Sequence, residues 1–537
     1  MRALILCWLV LCGVASITQA QTPLPVTPAT DTTRIVNIRN ADRYGSKKLD
    51  SIYELRTVVG HVLFQDGKTL LYADSAVQNT KLNTIEAFGN VHINDADSVH
   101  TRSQYLIYYP DKKLAILKKN VSMTDGKGLL TTNELTYNTA LKTGTYVNGG
   151  KVVNGKTVLT SKEATYYAEL KDVYFKRDVK LKDPAYDLSA DSLLYNTDSK
   201  LATFITKTNI RDSSGTRIVT SEGYYNLDTR KAFFGKRATI TDKALSITGD
   251  NIAIDDSSGL FQATGNAVMI DTSQGLSVIA NDIKANRTKN TFVATQHPLM
   301  IIKQDKDSIY VTADTLFAGR LNDLPGYQDT ASKDTIRSRR IVSSSDSANR
   351  NRYFQAWNHV RIFSDSLQAV SDSMFYSGRD SIFQLFNNPI VWASSNQVTG
   401  DTIYLYTKNK QAERMYVFEN GMLVNRSADS LYNQIKANTL NGYFKNGEVD
   451  YMRAKGSAES VYYARDEGNA IIGMNSATAD IIDMFFLDKE LHQVVFRNEV
   501  AGTLYPFRQV PDDKKLLRNF KWQENLRPKT KYELFGN

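Results

Sequence analysis

Seven carboxylates recur at one position of a repeated phrase: Asp74, Asp191, Asp250, Asp314, Asp372, Asp401 and Asp480. Recurrent acids could serve acid–base catalysis or hold calcium. The same position, however, carries Gln104, Asn133 and Lys162 in other copies, and no ligand or proton-transfer role tolerates all of these. What they share is the ability to sit at a turn, where Asp and Asn accept backbone hydrogen bonds. A second series, Tyr108, Tyr137, Tyr166 and Tyr195, recurs in register. It reads as a structural ladder of rings, with a stacking surface for sugars or bases as the weaker alternative. The six histidines, at 61, 92, 100, 297, 359 and 492, have no metal-ligand spacing, and both cysteines, Cys7 and Cys12, lie in an N-terminal apolar run. There is no Gly-rich phosphate loop and no Gly-x-Ser-x-Gly elbow. The residues therefore argue against an enzyme and call for no cofactor and no metal.

The elements that carry these positions are short. The phrase recurs as "ADSAV" at Asp74, "SQYLIY" at Gln104, "TNELTY" at Asn133, "SKEATY" at Lys162 and "ADSLLY" at Asp191, in steps of 30, 29, 29 and 29 residues. It continues at irregular spacing to "ADIIDM" at Asp480. A second phrase follows at about half a period: "GNVHI" at Asn90, "KNVSM" at Asn120, "RDVKL" at Asp178, "GNAVM" at Asn266, "HPLMI" at Pro298 and "NPIVW" at Pro389. Segments this short, alternating with period two and rich in β-branched and aromatic residues, are strands. A period near 29 signals a repeat architecture. The expected fold is all-β, with stacked antiparallel strands in two facing sheets and one rung per repeat, repeated phrases making repeated corners.

Alternation in the second phrase assigns faces. Val91 and Ile93, Val121 and Met123, Val179 and Leu181, Val360 and Ile362, Ile390 and Trp392, and Met422 and Val424 are expected to line the interior. Asn94 and Lys180 are expected to point outward.

Arg2 precedes the apolar run "ALILCWLVLCGVASI", and Thr18 and Ala20 place small residues before Gln21. This is the layout of a signal peptide cleaved after Ala20. The net charge of +9 is dispersed among acidic residues and gives no reason to expect nucleic acid. The expected organisation is a signal at 1–20, a polar leader at 21–49, a first array at 50–319, a polar linker at 320–353, a second array at 354–507 and a basic tail at 508–537. The tail is read as disordered or docked on a partner.

"EAFGNVHI" (Glu86–Ile93) and "FQATGNAVMI" (Phe261–Ile270), each after an "AD" or "GD" phrase, resemble the OstA-like family of the organic-solvent-tolerance/LptA type. The resemblance covers 50–319 most clearly and 354–507 less so. It implies a V-shaped β-jellyroll in the periplasm that holds the acyl chains of lipopolysaccharide between its sheets and passes them toward the outer membrane. It also implies partners: other lipopolysaccharide-transport components joined by edge-strand pairing, and end-to-end self-association. The length, second array and basic tail depart from the small bridge proteins of that family. The competing reading is an outer-membrane β-barrel or surface β-solenoid with a structural or adhesive role.

Overall fold

A computed structural model describes residues 36–303, 308–325, 351–408, 411–445, 448–487 and 490–535. The expected signal segment lies outside these. The chain is almost entirely antiparallel β, as the repeat implies. It divides into two compact units, Met1–Ser122 with Glu134–Lys142, and Met123–Asn133 with Thr143–Asn537.

Each long strand bends once, and its two halves pair in different ladders. Strand Glu54–Asp66 is representative. Its first half pairs Leu55–Val59 with Ser75–Asn79, its second half pairs Val62–Asp66 with Thr69–Ala73, and the register breaks between. The break is a pair of consecutive residues with positive φ: Gly60 and His61, Gly89 and Asn90, Lys119 and Asn120, Arg177 and Asp178, and so on to Asn498 and Glu499. Two left-handed residues in succession turn the chain sharply. Asn and Gly recur there because they adopt this conformation at least cost.

The two phrases meet at these corners. Asn90 Nδ2 donates to Asp74 Oδ2 (3.0 Å), Asn266 to Asp250 (3.2 Å), Asn387 to Asp372 (3.2 Å) and Asn420 to Asp401 (2.9 Å). The recurrent acid therefore accepts from the corner of the following rung, where the sequence suggested its own turn. At Gly89, φ is +70°, and a Cβ would lie 2.3 Å from Asp74 Oδ2, so glycine is required on both counts.

The ladders face each other within each unit. In the first, Phe64, Leu71 and Ile93 from the second-half ladder enclose one void with Leu106 and Tyr108 from the first-half ladder. In the second, Ile210 and Ile218 similarly meet Tyr225, Phe234 and Ile254.

Three expected boundaries change. The array begins earlier, because strands Asn37–Asn40 and Arg43–Lys48 pair with the two halves of Glu54–Asp66. The polar stretch 320–353 does not separate two arrays. Thr315–Arg320 pairs directly with Arg352–Trp357, and Tyr310–Thr312 with Arg361–Phe363. It is an excursion between strands that are neighbours in one ladder. The C-terminal segment is neither disordered nor free for a partner in this structure, as it packs on the chain's own sheet.

Candidate functional site

Positions immediately after a corner turn inward. Val91, Ile93, Val121, Met123, Val179 and Leu181 are all at most 2% exposed, and Val360 and Ile362 are 1% and 7% exposed. Their side chains are buried within the stack. In the early rungs that interior is filled. The void beside Phe64, Ile93 and Leu106 has room for about one water molecule.

The edge away from the corners is closed by the tyrosine series. Tyr108 Oη donates to Asp66 Oδ2 (2.6 Å), and Tyr137 Oη to Asp95 Oδ2 (2.7 Å). In each pair the phenol stands on the first-half ladder and the carboxylate on the second. Lys113 Nζ also reaches Asp66, at 3.1 Å. One period on, Tyr166 packs against Asp125, whose buried carboxylate pairs with Lys171 at 2.8 Å. Another period on, Asn154 Nδ2 donates to Tyr195 Oη (3.3 Å). Burial pushes the Tyr195 phenol up to about 12 and that of Tyr166 further, with Asp125 adding to the shift. These phenols stay protonated; Tyr108 and Tyr137 donate across to the facing ladder, and Tyr195 accepts from Asn154. The series is structural, as the sequence suggested, although its partner acids, 41 or 42 residues earlier, were not recognised.

The late rungs differ. Strands Gln411–Ala428, Leu431–Lys445, Glu448–Arg465 and Ile471–Leu487 run to 15–18 residues, against 10–13 for the early bent strands. Their ladders stand apart around an open cleft of about 890 Å³. One wall is mainly apolar: Met484, Phe486, Leu491, Val494 and Phe496, with His492 and Gln493 between them. The other mixes Leu423 and Ile435 with Asn425, Asn433, Ser460 and Asn475. Arg426 and Arg465 stand at its rim, Arg465 held by the Ser427 carbonyl oxygen (2.6 Å) and by Asn469. An apolar wall opposite an amide-rich one suits an amphiphile.

Four expected lining residues are elsewhere. Ile390, Trp392, Met422 and Val424 share a face with Gln397 and Gln434, through the pairs Trp392↔Gln397, Gln397↔Val424 and Val424↔Gln434. That face points away from the cleft. The cause is a one-residue slip. The corner pairs are Asn387–Asn388 and Glu419–Asn420, so Pro389 and Gly421 take the place of Val91. Val391 and Leu423 therefore turn inward and their neighbours outward. A shift of one residue exchanges the two faces of a strand.

The outward face is covered by the C-terminal segment, which buried glutamines grip by its main chain. Gln434 donates to the Lys515 carbonyl oxygen (2.9 Å) and accepts from the Leu517 amide (2.8 Å). Gln397 repeats this with Lys521 (2.7 Å) and Gln523 (2.8 Å). Gln368 Oε1 accepts from Arg527 Nε and Nη2 at 2.9 and 2.7 Å. Val510 and Leu517 pack on Val461, Tyr463 and Met474, and Phe520 and Trp522 on Tyr432. Only Trp392 beside Pro389 hinted in the sequence that this face needed a cover.

Among the described residues no three His, Cys, Asp or Glu side chains are placed to hold a metal ion, and no helix is long and apolar enough to cross a membrane.

Residues 33–191 match the family described as OstA-like protein, so the resemblance read from the repeated phrases holds over that stretch. A structure search finds similarity to the crystal structure of LptH, the LptA-homologous periplasmic component of the conserved lipopolysaccharide transport device from Pseudomonas aeruginosa. The identity is 12%, the TM-score 0.19, and the match covers 26% of this chain and 81% of that one. None of the curated proteins matches.

Proposed function

We propose that this protein is an exported envelope protein that shields the acyl chains of lipopolysaccharide and helps deliver the lipid to the outer membrane. The observation that carries this reading is the amphipathic cleft of the late rungs. An amphiphile crossing water must hide its chains, and burial is worth about 0.8 kcal/mol per CH₂. The Met484, Val494 and Phe496 wall offers that burial, and the Asn425, Asn433 and Asn475 wall with Arg426 and Arg465 suits the polar headgroup. The OstA-like match at 33–191 supports the same class of ligand. The inward rows Val91/Ile93, Val121/Met123, Val179/Leu181 and Val360/Ile362 would receive chains only where the ladders part. Terminal strands would pair with other transport components, or with a second copy, by strand addition. Cleavage after Ala20 would leave Gln21 as the mature N-terminus.

Photo-crosslinking probes at Val494 and Phe496, with Val495 as the outward control, test the reading in cells. Lipopolysaccharide adducts from the two inward positions alone are expected. Equal labelling at Val495, or none at Val494 and Phe496, would remove the cleft as the binding site.

A further inference from the structure

The other outward face of these late rungs, on the first-half ladder, carries aromatic rings and planar polar groups. The pairs Tyr404↔Tyr416, Tyr416↔Asn441, Asn441↔Arg453 and Arg453↔Asp483 form one row across five strands. A second row runs Tyr406↔Arg414, Arg414↔Tyr443, Tyr443↔Tyr451 and Tyr451↔Phe485. Contacts of the C-terminal segment with Tyr432, Gln434, Gln397 and Gln368 all fall on the opposite ladder. Tyr443 is 39% exposed, and Trp357, further along the same face, 38%.

The rings pack side by side into a platform. Tyr443 stacks on Tyr451 at 5.7 Å between centroids, with 27° between planes, and Tyr451 meets Phe485 at 5.1 Å. The Arg414 guanidinium lies 5.4 Å from the Tyr406 and Tyr416 rings and 5.6 Å from Tyr443, and its Nε donates to Asn441 (2.7 Å). Nothing among these contacts neutralises its charge. Asp483 accepts from Arg453 Nε (2.7 Å), Arg497 Nε (2.8 Å) and Tyr451 Oη (2.6 Å). One carboxylate thus answers two guanidiniums there, so the face as a whole is cationic.

We propose that this face binds the phosphorylated saccharide of lipopolysaccharide. The identity of the glycan rests on the function proposed above, whereas the saccharide chemistry rests on the face itself. Sugar rings present C–H surfaces that pack on aromatic faces, and their hydroxyls match the amide of Asn441 and the phenols. Guanidiniums held flat by rings and carboxylates take phosphate oxygens in pairs. An aliphatic protein partner would find few apolar chains here beyond the rings. A nucleic acid would call for a longer basic track than three guanidiniums, one carboxylate among them.

The test uses the full mature chain and deacylated lipopolysaccharide, which has lost the chains that the cleft would take. Titration calorimetry should give saturable binding that weakens with salt and with prior dephosphorylation of the saccharide. Arg414→Gln and Tyr443→Leu should each weaken it by about tenfold, as the loss of a cation–ring or charged hydrogen-bond contact implies. Both should keep wild-type circular dichroism and an unchanged affinity for a fluorescent fatty acid. Arg414→Lys, which keeps the charge and loses the planar fork, should fall between. No binding of the saccharide, equal affinity in the variants, or tighter binding of oligothymidylate than of the saccharide would overturn the proposal. Loss of fatty-acid binding in Phe496→Asp, with saccharide affinity retained, would locate the two sites apart. Failure of fatty-acid binding in the wild type would strike the acyl reading and leave this one standing.

Discussion

The early and late rungs solve the same geometric problem in opposite ways. Both bend each strand at a pair of left-handed residues and turn apolar rows inward. At Tyr108–Asp66 and Tyr137–Asp95 the free edge is bridged by short hydrogen bonds, and the interior is packed. At Met484 the strand and the one before it are several residues longer, and an open space lies between the wall that Met484 shares with Phe496 and the wall opposite. A strand pair buries its inner faces only as deep as the facing side chains can meet. Lengthening the strands beyond that depth gives either a cavity or a mouth. The difference shows that one repeat can build a closed core or an open cleft, with strand length and the residues at the free edge differing between the two.

Charge insertion should break this comparison most strongly. Ile93→Asp buries a carboxylate with no partner in a filled interior, at an expected cost of about 4 kcal/mol or more. Phe496→Asp places the same charge on a wall of the open cleft, and about 1 kcal/mol is expected. Urea unfolding measures both. Fatty-acid binding should vanish in the second variant, which stays folded. Similar stability losses at the two positions would mean that the late interior is as closed as the early one.

The next contrast lies outside the sheets. The late outward face needs a cover because Trp392, Val424 and Val461 stand on it, whereas the early outward positions are His92, Lys180 and Lys182. Gln397→Ala or Gln434→Ala removes both hydrogen bonds that hold one stretch of the C-terminal segment, at about 1–3 kcal/mol each. Combined in a Trp357→Phe, Trp522→Phe background, they should shift Trp392 emission to the red as the segment lifts. An unchanged spectrum would show that apolar contacts alone hold it.

How much of this was legible follows from which rules are local. The strand class, the corners and the inward rows at Val91, Val121, Val179 and Val360 were readable because each depends on alternation within a few residues. The faces at Ile390 and Met422 are not legible in the alternation, because the corners Asn387–Asn388 and Glu419–Asn420 lie one residue earlier than the repeated phrase suggests. The tyrosine bridges were half readable. Tyr108 and Tyr137 repeat visibly, but Asp66 and Asp95 join them only once the strand has folded back. The C-terminal grip was unreadable, since Gln368, Gln397 and Gln434 lie 81 to 159 residues from the groups they hold. The late cleft depends on strand length, which irregular spacing after Asp372 signalled without saying what it would build.

A smaller effect is expected from the edge bridges. Tyr108→Phe removes one hydrogen bond to a carboxylate that retains Lys113, and about 1–2 kcal/mol should be lost. The more telling readout is access. If the bridge is what separates early from late rungs, a photo-crosslinker at Ile93 should gain lipid adducts in this variant and have few in the wild type. Abundant adducts in both would show that the early mouth opens regardless of the bridge.

The smallest effect concerns acid. On the late outward face, hydrogen bonds from Arg453, then Tyr451 and Arg497, hold the Asp483 carboxyl down at about 2, against 3.8 ordinarily. A carboxyl depressed on folding adds stability above its unfolded value, and that stability is lost as pH falls through the folded one. The contribution should thus be complete above about pH 4 and gone near pH 2. Arg453 and Arg497 are about half exposed, 43% and 53%, so solvent screens the pair and the gain is modest. Asp483→Asn should melt lower than wild type at about pH 6, and the two curves should converge between about pH 4 and pH 2. The cleft lies on the other side of this ladder, so fatty-acid affinity near neutral pH should be the same in both. A gap in melting temperature that persists at the acid end would mean that the substituted amide disturbs packing rather than charge. A change in fatty-acid affinity would mean that the outward network and the cleft are coupled, and that the late rungs are not the independent two-faced wall described above.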